Sequence, residues 1–136
     1  MTTNTQQTAG AARLRNSTTV FVVGNIEEVM KWYEGLGFTV EYHPPGFCSL
    51  TRDAVSIFLQ QQPGYVRPDD PGARARHAWN VYIETDDVAA LFAEFSRRPD
   101  VKIVRPPTTQ VYGQIEFDVM DPNGYRLVFA QRANGA

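Results

Sequence analysis

The acidic residue best placed for chemistry is Glu116, in the middle of the alternating run 114–120. In a strand, Ile115, Phe117 and Val119 would share one face and Glu116 would lie on the other, because successive side chains point to opposite sides. A carboxylate on an open face could act as a general base or attract a cationic ligand. The solvated face of an antiparallel sheet shows the same alternation, so both interpretations stay open.

Other reactive side chains give weaker signals. Cys48 alternates with Leu50, so we expect it in the core as a small hydrophobic residue and not as a nucleophile. His43 and His77 are far apart in the sequence and have no evident carboxylate partner, which is more typical of surface histidines than of metal ligands. The sequence contains no G-x-S-x-G elbow, P-loop or G-x-G-x-x-G fingerprint.

Aromatic residues favour ligand binding over chemistry. Alternation places Phe47, Phe58 and Tyr82 on the strand faces that the helices do not cover, and Tyr112 lies just before the run that contains Glu116. Aromatic walls with a few polar groups suit an extended organic ligand. A filled interior or a dimer contact would use the same rings, so these alternatives remain.

An internal repeat predicts the elements that position these residues. Residues 23–38 return in modified form as residues 84–101, with Asn25 opposite Asp87 at an offset of 62 residues. Such a duplication indicates two similar modules. Each half alone would bury too little surface to be stable, so we expect the halves to share a core or to pair with a second chain.

Each half shows the order β-α-β-β-β. Asn25 is a candidate N-cap of the first helix, and Asp86 or Asp87 of the second. Trp79 is expected in the core because it alternates with the apolar residues of a predicted strand over residues 78–84. A further strand over residues 101–104 is expected to end at two prolines. The predicted class is α+β, with the helices on the outer face of a curved mixed sheet around a cavity.

The domain layout follows from composition. We predict a disordered tail over residues 1–16, a first module over 17–60, an inter-module loop over 61–76 and a second module over 77–131. The loop is rich in proline, glycine and arginine, which is typical of a connection. It could also serve as a lid that carries four side chains to a cavity mouth: Tyr65, Arg67, Arg74 and Arg76.

Composition bounds the function. The chain has 136 residues, a net charge of −2 and a single cysteine. A nucleic-acid partner is not expected without a basic patch, and no apolar run approaches the roughly 20 residues of a membrane span. A cytoplasmic location fits the cysteine content.

Two segments resemble the vicinal oxygen chelate superfamily. Its "D-aliphatic … FY … LGF" signature is similar to NIEEVMKWYEGLGF at residues 25–38. Its "WG … EF … DPdG" segment is similar to YGQIEFDVMDPNGYRL at residues 112–127. The family includes glyoxalases, extradiol dioxygenases, fosfomycin-modifying enzymes and bleomycin resistance proteins. The resemblance covers about residues 17–131 and implies paired modules curved around a cavity, often completed by a second chain.

The resemblance also implies where a divalent metal would bind. The family's enzymes hold it with histidine and glutamate at positions that match Thr18, Phe58, Asn80 and Val128. None of these is a usual strong ligand, so we expect no metal site and no cofactor. His77 could replace Asn80 only through a register slip or a bulge, because it would otherwise point to the opposite face.

These observations predict a metal-free small-molecule binding protein of the bleomycin-resistance type. It would sequester an aromatic or cationic compound in a homodimer cleft and so confer antibiotic resistance. The alternative is a lyase, isomerase or oxidoreductase of the same fold with a displaced or absent metal site and Glu116 as acid/base, helped by His77 or Tyr112. A structural or regulatory dimer with a filled interior is a third reading. The expected ligand-binding residues are Phe47, Phe58, Asn80, Tyr82, Tyr112, Glu116 and Val128.

Overall fold

The computed structural model describes residues 10–133, which form two modules with the same order of elements. The first module contains β1 (Thr19–Val23), α1 (Ile26–Gly35), β2 (Thr39–His43), β3 (Phe47–Arg52) and β4 (Val55–Gln61). The second contains β5 (Val81–Glu84), α3 (Val88–Ser96), β6 (Lys102–Thr109), β7 (Gln114–Met120) and β8 (Arg126–Arg132). A short helix, α2 (Pro71–Ala75), lies in the connection between them.

The two modules form four-stranded mixed sheets with matching topology. The strand orders are β1-β4-β3-β2 and β5-β8-β7-β6. The first and last strands of each module pair in parallel, and the other neighbours pair antiparallel. The predicted α+β fold with two β-α-β-β-β modules is therefore confirmed.

The repeat extends to the start of each helix. Asn25 caps α1 by accepting a backbone N–H at 3.2 Å, and Asp87 caps α3 in the same way at 2.9 Å. The first N–H of each helix donates to a glutamine at the end of the module's last strand, to Gln61 at 2.9 Å and to Gln131 at 2.7 Å. Such contacts satisfy N–H groups that a helix leaves unpaired. The two caps confirm the predictions, whereas the glutamines were not predicted.

The helix-covered faces of both sheets meet in one core, which also contains Cys48 as predicted. Phe21 stacks on Tyr125 of the other module with ring centroids 4.1 Å apart. The Tyr33 hydroxyl donates to Asp121 across the same junction at 2.8 Å. Because both modules bury their helix-covered faces here, the other face of each sheet, which we call its outer face, points away from the shared core.

Two sequence predictions about strands were wrong. The strand predicted over residues 78–84 begins only at Val81, and Trp79 is 44% exposed instead of buried. His77 adopts a left-handed conformation with φ of 55°, which turns the chain before the strand, so alternation does not extend back to Trp79. The ring of Trp79 instead packs against that of Tyr82, with centroids 4.9 Å apart.

Strand β6 also continues through Pro106 and Pro107 instead of ending there. It forms the edge of its sheet, where a missing backbone donor is tolerated. The pairing with β7 shifts register on both sides of Arg105. Bulges of this kind redirect side chains, and here the guanidinium of Arg105 reaches the outer face of β7.

The connection packs onto the second module. Arg67 lies over the ring of Tyr125, with its guanidinium carbon 4.7 Å from the centroid, and donates to the Gly124 carbonyl at 3.2 Å. The predicted tail over residues 1–16 lies mostly outside the described residues, and residues 10–16 are exposed and lack regular structure. No helix within residues 10–133 is long and apolar enough to cross a membrane.

Candidate functional site

Glu116 lies at the centre of a polar cluster on the outer face of the second sheet. Its side chain is fully buried, although it points away from the core. The hydroxyls of Tyr82 and Tyr112 both donate to Oε2, at 2.7 and 2.6 Å. Arg105 donates to Oε1 at 3.0 Å. The structure therefore brings together three of the predicted site residues and adds one arginine that was not predicted.

A second carboxylate extends this cluster. Asp118, also fully buried, accepts from Arg105 at 2.7 Å and from Nε of Arg126 at 2.8 Å. Two carboxylates thus face two guanidinium groups, and their formal charges cancel. Burying a charge is unfavourable unless it is paired and hydrogen-bonded. We therefore expect the loss of any one of these four side chains to destabilise the fold, because it would leave a buried charge without its partner.

The cluster ends at the turn before β5. Asn80, a predicted site residue, accepts the backbone N–H of Arg126 at 2.8 Å through its side-chain oxygen. The guanidinium of Arg126 lies 3.2 Å from Nδ1 of His77. Asn80 therefore orients the chain beside the cluster, and His77 approaches the cluster from an exposed turn.

The two tyrosine hydroxyls at Glu116 are held in their neutral form. Burial and the hydrogen bond to Glu116 raise the pKa of Tyr82 above its ordinary value. The same two causes raise the pKa of Tyr112 from 10.0 to about 12, although about half of the residue is exposed. Burial opposes the charge of Arg105, but the hydrogen bonds to Asp118 and Glu116 outweigh it and raise its pKa. Both tyrosines therefore act as hydrogen-bond donors to Glu116 at neutral pH.

Two tyrosines contact Glu116 through their hydroxyls, and the ring of Trp79 packs against one of them. Tyr82 is partly exposed, and Trp79 packs against it. Tyr112 extends from an exposed turn and is 53% exposed. Val128, another predicted site residue, is fully buried beside Tyr82 in the parallel ladder. It forms the floor of the site, and a ligand would meet the rings first.

The remaining predicted site residues lie on the other sheet. Phe47 and Phe58 pack edge to face, with centroids 5.0 Å apart, on the outer face of the first module. Val20, beside Phe58 in the ladder, is 47% exposed. The predicted residues thus divide into two groups, on outer faces that both point away from the shared core.

The positions at which the family would bind a metal do not provide a suitable set of ligands. Phe58 and Val128 carry no lone pair, and the side-chain oxygen of Asn80 already accepts from Arg126. Only the Thr18 hydroxyl remains, which is a poor ligand for a divalent cation. Across residues 10–133, no group of three or more His, Cys, Asp and Glu side chains could hold a metal ion.

Sequence reasoning missed three members of the cluster. In alternating strands Asp118 shares the face of Glu116 and Arg126 shares the face of Val128, so the same periodicity could have identified both. Arg105 was hidden because it reaches the site through the irregular pairing of β6. A buried acid requires a cation, which is the signal that could have directed the search to these arginines.

A separate cavity lies where the modules meet. It has a volume of about 610 Å³ and is lined by residues of both modules, among them Arg52 and Val55 from the first and Ile83 and Phe95 from the second. Arg52 forms a two-point ion pair with Glu94 across this junction, at 3.0 and 3.2 Å. The ion pair joins the two modules beside the cavity.

Comparison with known proteins agrees with this architecture. The sequence model of the Glyoxalase/Bleomycin resistance protein/Dioxygenase superfamily matches residues 16–129. No protein of curated function matches the sequence significantly.

Solved structures with the same fold include three informative examples. A bleomycin-binding protein complexed with bleomycin has a TM-score of 0.69 and 21% identity, over 88% of this chain and 99% of that one. A bleomycin resistance determinant encoded on the transposon Tn5 has a TM-score of 0.70 and 21% identity, over 88% and 98%. A glyoxalase/bleomycin resistance protein/dioxygenase from Alicyclobacillus acidocaldarius has a TM-score of 0.70 and 14% identity, over 88% and 95%. Similarity at these identities establishes the fold alone.

Proposed function

The chain belongs to the Glyoxalase/Bleomycin resistance protein/Dioxygenase superfamily, and on this premise we propose that it is a small-molecule binding protein of the bleomycin-resistance type. It holds an aromatic or cationic compound in a cleft shared by two copies of the chain and requires no metal. By sequestering the compound in the cytoplasm it lowers the free concentration and confers resistance without breaking a bond.

The observation that carries this proposal is the state of Glu116. A general base must have a free lone pair directed at the proton it removes. Here both lone pairs of Oε2 accept tyrosine hydroxyls and one lone pair of Oε1 accepts an arginine. The remaining lone pair of Oε1 belongs to a carboxylate that is fully buried. Such an acid organises neighbouring side chains, which suits a preformed binding surface better than proton transfer.

The residues at the family's metal positions support binding without a metal. Two of the four are hydrocarbon side chains, and the amide oxygen of Asn80 is occupied by Arg126. A chain without these ligands would lack the Lewis acid that the family's metal-dependent enzymes use. A pocket that keeps the fold but not these ligands is suited to recognition.

The division of the site residues supports a homodimer. Phe47 and Phe58 lie on one outer face, and Tyr82, Tyr112 and Glu116 on the other. Both faces point away from the shared core, so neither can cover a ligand held by the other in the same chain. A second copy that places its first module over the second module of its partner would enclose a cleft twice, once on each side.

Ligand titration tests the proposal. We expect saturable binding, followed by calorimetry or intrinsic fluorescence, to bleomycin or to a flat cationic antibiotic such as daunorubicin. Replacing Phe58 by alanine should weaken this binding, whereas replacing the exposed Leu14 should leave it unchanged. Metal analysis of the same preparation should find no stoichiometric divalent ion.

Two results would contradict the proposal. Binding to no member of such a panel, together with turnover of a metabolite that depends on Glu116 or His77, would instead support an enzyme. An oligomer whose outer faces are packed against each other without a cleft would favour a structural dimer.

A further inference from the structure

From the cavity at the junction of the two modules we propose a second binding site, which takes an amphipathic primary amine. The apolar part of the ligand lies between the modules, and its ammonium group lies where carboxylates line the cavity. This cavity is formed within one chain, whereas the cleft proposed above requires two. The site therefore goes beyond the proposed function, and either site can exist without the other.

The first observation is the size and the apolar wall of the cavity. Its volume of about 610 Å³ is within the range of cavities that bind small organic molecules. Three rings contribute to the wall, and all of them belong to the buried core: Phe38, Phe95 and Phe129. Core packing holds these rings in place, so the wall exists before a ligand binds. An apolar group that displaces water from this wall is stabilised by the hydrophobic effect.

The second observation is an excess of negative charge in the lining. Three carboxylates and two guanidinium groups line the cavity: Asp53, Glu84, Asp86, Arg52 and Arg132. Arg52 is already neutralised by its two-point ion pair with Glu94, and Asp53 lies 3.9 Å from its Nε. Glu84 and Asp86 form no ion pair within residues 10–133, and only Arg132 is left to oppose them. This imbalance favours a cation over a neutral or anionic ligand.

The third observation is an unsatisfied acceptor in the same lining. Oε1 of Gln114 is buried and accepts no hydrogen bond from residues 10–133. Gln114 pairs with Arg132 across the ladder, and Glu84 pairs with Ala130, two residues earlier on the same strand. The acceptor and the carboxylate of Glu84 therefore lie at the same end of the second sheet.

These acceptors favour a primary amine among the possible cations. A buried acceptor without a donor is unfavourable, and an N–H group of a ligand would satisfy it. A primary ammonium carries three such donors, enough for an amide oxygen and for carboxylates at once. A trimethylated ammonium has the same charge and no N–H donor, so it should bind more weakly.

Four probes with the same apolar part separate these classes. They are 4-phenylbutylamine, 4-phenylbutan-1-ol, N,N,N-trimethyl-4-phenylbutylammonium and 4-phenylbutanoate. The δ-methyl resonance of Ile83, which lines the cavity, reports binding by NMR. Ile26 is buried at the start of α1, away from the cavity lining, and serves as an internal control. We expect the amine to shift the Ile83 resonance in a saturable way and to leave that of Ile26 unchanged.

The expected preference for the amine over the alcohol is about ten-fold in Kd, as for two exposed ion pairs. Glu84→Gln combined with Asp86→Asn should remove most of it, and the variant should fold because both side chains are exposed and unpaired. Glu27→Gln combined with Glu28→Gln removes the same charge from exposed positions of α1 outside the cavity and should retain the preference. Because the carboxylates are exposed, added salt should reduce the preference in the wild-type protein.

Three results would overturn the proposed amine site. They are equal Kd values for the amine and the alcohol, binding of the trimethylated cation or the carboxylate as tight as that of the amine, and loss of the preference in the α1 control variant. A shift of Ile26 as large as that of Ile83 would also overturn it, because binding would then not be confined to the cavity.

Phe58→Ala separates this site from the antibiotic cleft. It changes the outer face of the first module, so it should weaken antibiotic binding and leave the Kd of the amine unchanged. If the amine binds as stated and no antibiotic does, the proposed function fails and the amine site stands. If an antibiotic binds and the amine does not, only the amine site is overturned.

Discussion

The outer faces of the two sheets share a framework and differ in chemistry. By strand register, Phe58 of the first module corresponds to Val128 of the second, since Val20 and Tyr82 pair beside them at matching places. The counterparts of Glu116 and Asp118, found through the same ladders, are Phe47 and Ser49. The counterpart of Arg126 is Ser56, which follows from the register of the last strands.

The comparison shows that two modules with the same backbone topology can carry different side chains on their outer faces. The first face carries aromatic and small polar side chains that are partly exposed. The second carries buried charges that satisfy one another and hold tyrosine hydroxyls in place.

The largest effect should come from breaking the charge cluster of the second face. Replacing Arg126 by methionine leaves Asp118 with one fewer cation in a buried setting, which should lower the free energy of unfolding by about 3–5 kcal/mol. Urea denaturation measures the change. The counterpart substitution in the first module, Ser56→Ala, should alter stability by less than about 1 kcal/mol. Comparable losses in both variants would show that the contrast between the faces has no energetic basis.

The next effect concerns the tyrosine hydroxyls. Burial raises the pKa of Tyr112, and the hydrogen bond and charge of Glu116 raise it further to about 12. Glu116→Gln removes the charge and leaves the burial, so this pKa should fall while staying above 10.0. Tyrosinate absorbance during an alkaline titration reports this change, and Tyr112→Phe identifies the transition. Because the folded pKa is raised, the stability contributed by this hydroxyl is fully present below the unfolded value of 10.0 and is lost as the pH rises through about 12. An unchanged transition in Glu116→Gln would refute the assignment.

A smaller effect on stability should come from the junction between the modules, where Tyr33 contacts Asp121. Tyr33→Phe removes the hydroxyl that donates to the buried Asp121 at 2.8 Å, so the free energy of unfolding should fall by about 1–3 kcal/mol. Tyr42→Phe removes only an exposed hydroxyl that accepts the Gly46 N–H at 3.2 Å, so it should change this free energy by less than about 1 kcal/mol. A neutral Tyr33→Phe variant would mean that this contact does not hold the modules together.

The smallest effect should be equal in the two modules. Asn25→Ala and Asp87→Ala remove the N-caps of α1 and α3, and each should lower the free energy of unfolding by about 1 kcal/mol. Thermal denaturation of both variants would measure the losses. A large difference between them would show that the modules diverge in their helices as well as on their outer faces.

The sequence predicted the scaffold better than the site. The repeat, the caps and the alternation of β7 follow from local rules, and these gave the fold, the two N-caps and the direction of Glu116. Trp79 and β6 were wrong because a left-handed residue and an edge strand interrupt those rules. Arg105 could not be assigned, because its place depends on a bulge that no single-strand pattern records. The division of the site between two outer faces depends on how the modules meet, which is a property of the tertiary structure.

Complementation between two inactive variants tests the shared cleft most directly. The ligand is bleomycin or daunorubicin, whichever the wild-type protein binds with the lower Kd. Phe58→Ala disables the first face and Tyr112→Ala disables the second, so neither homodimer should bind this ligand. Co-expressed with different tags and purified as a heterodimer, the two chains should regain one intact site, with close to wild-type Kd and half the wild-type stoichiometry. A heterodimer as inactive as its parents, or a monomeric wild-type chain that binds the same compound, would contradict the account.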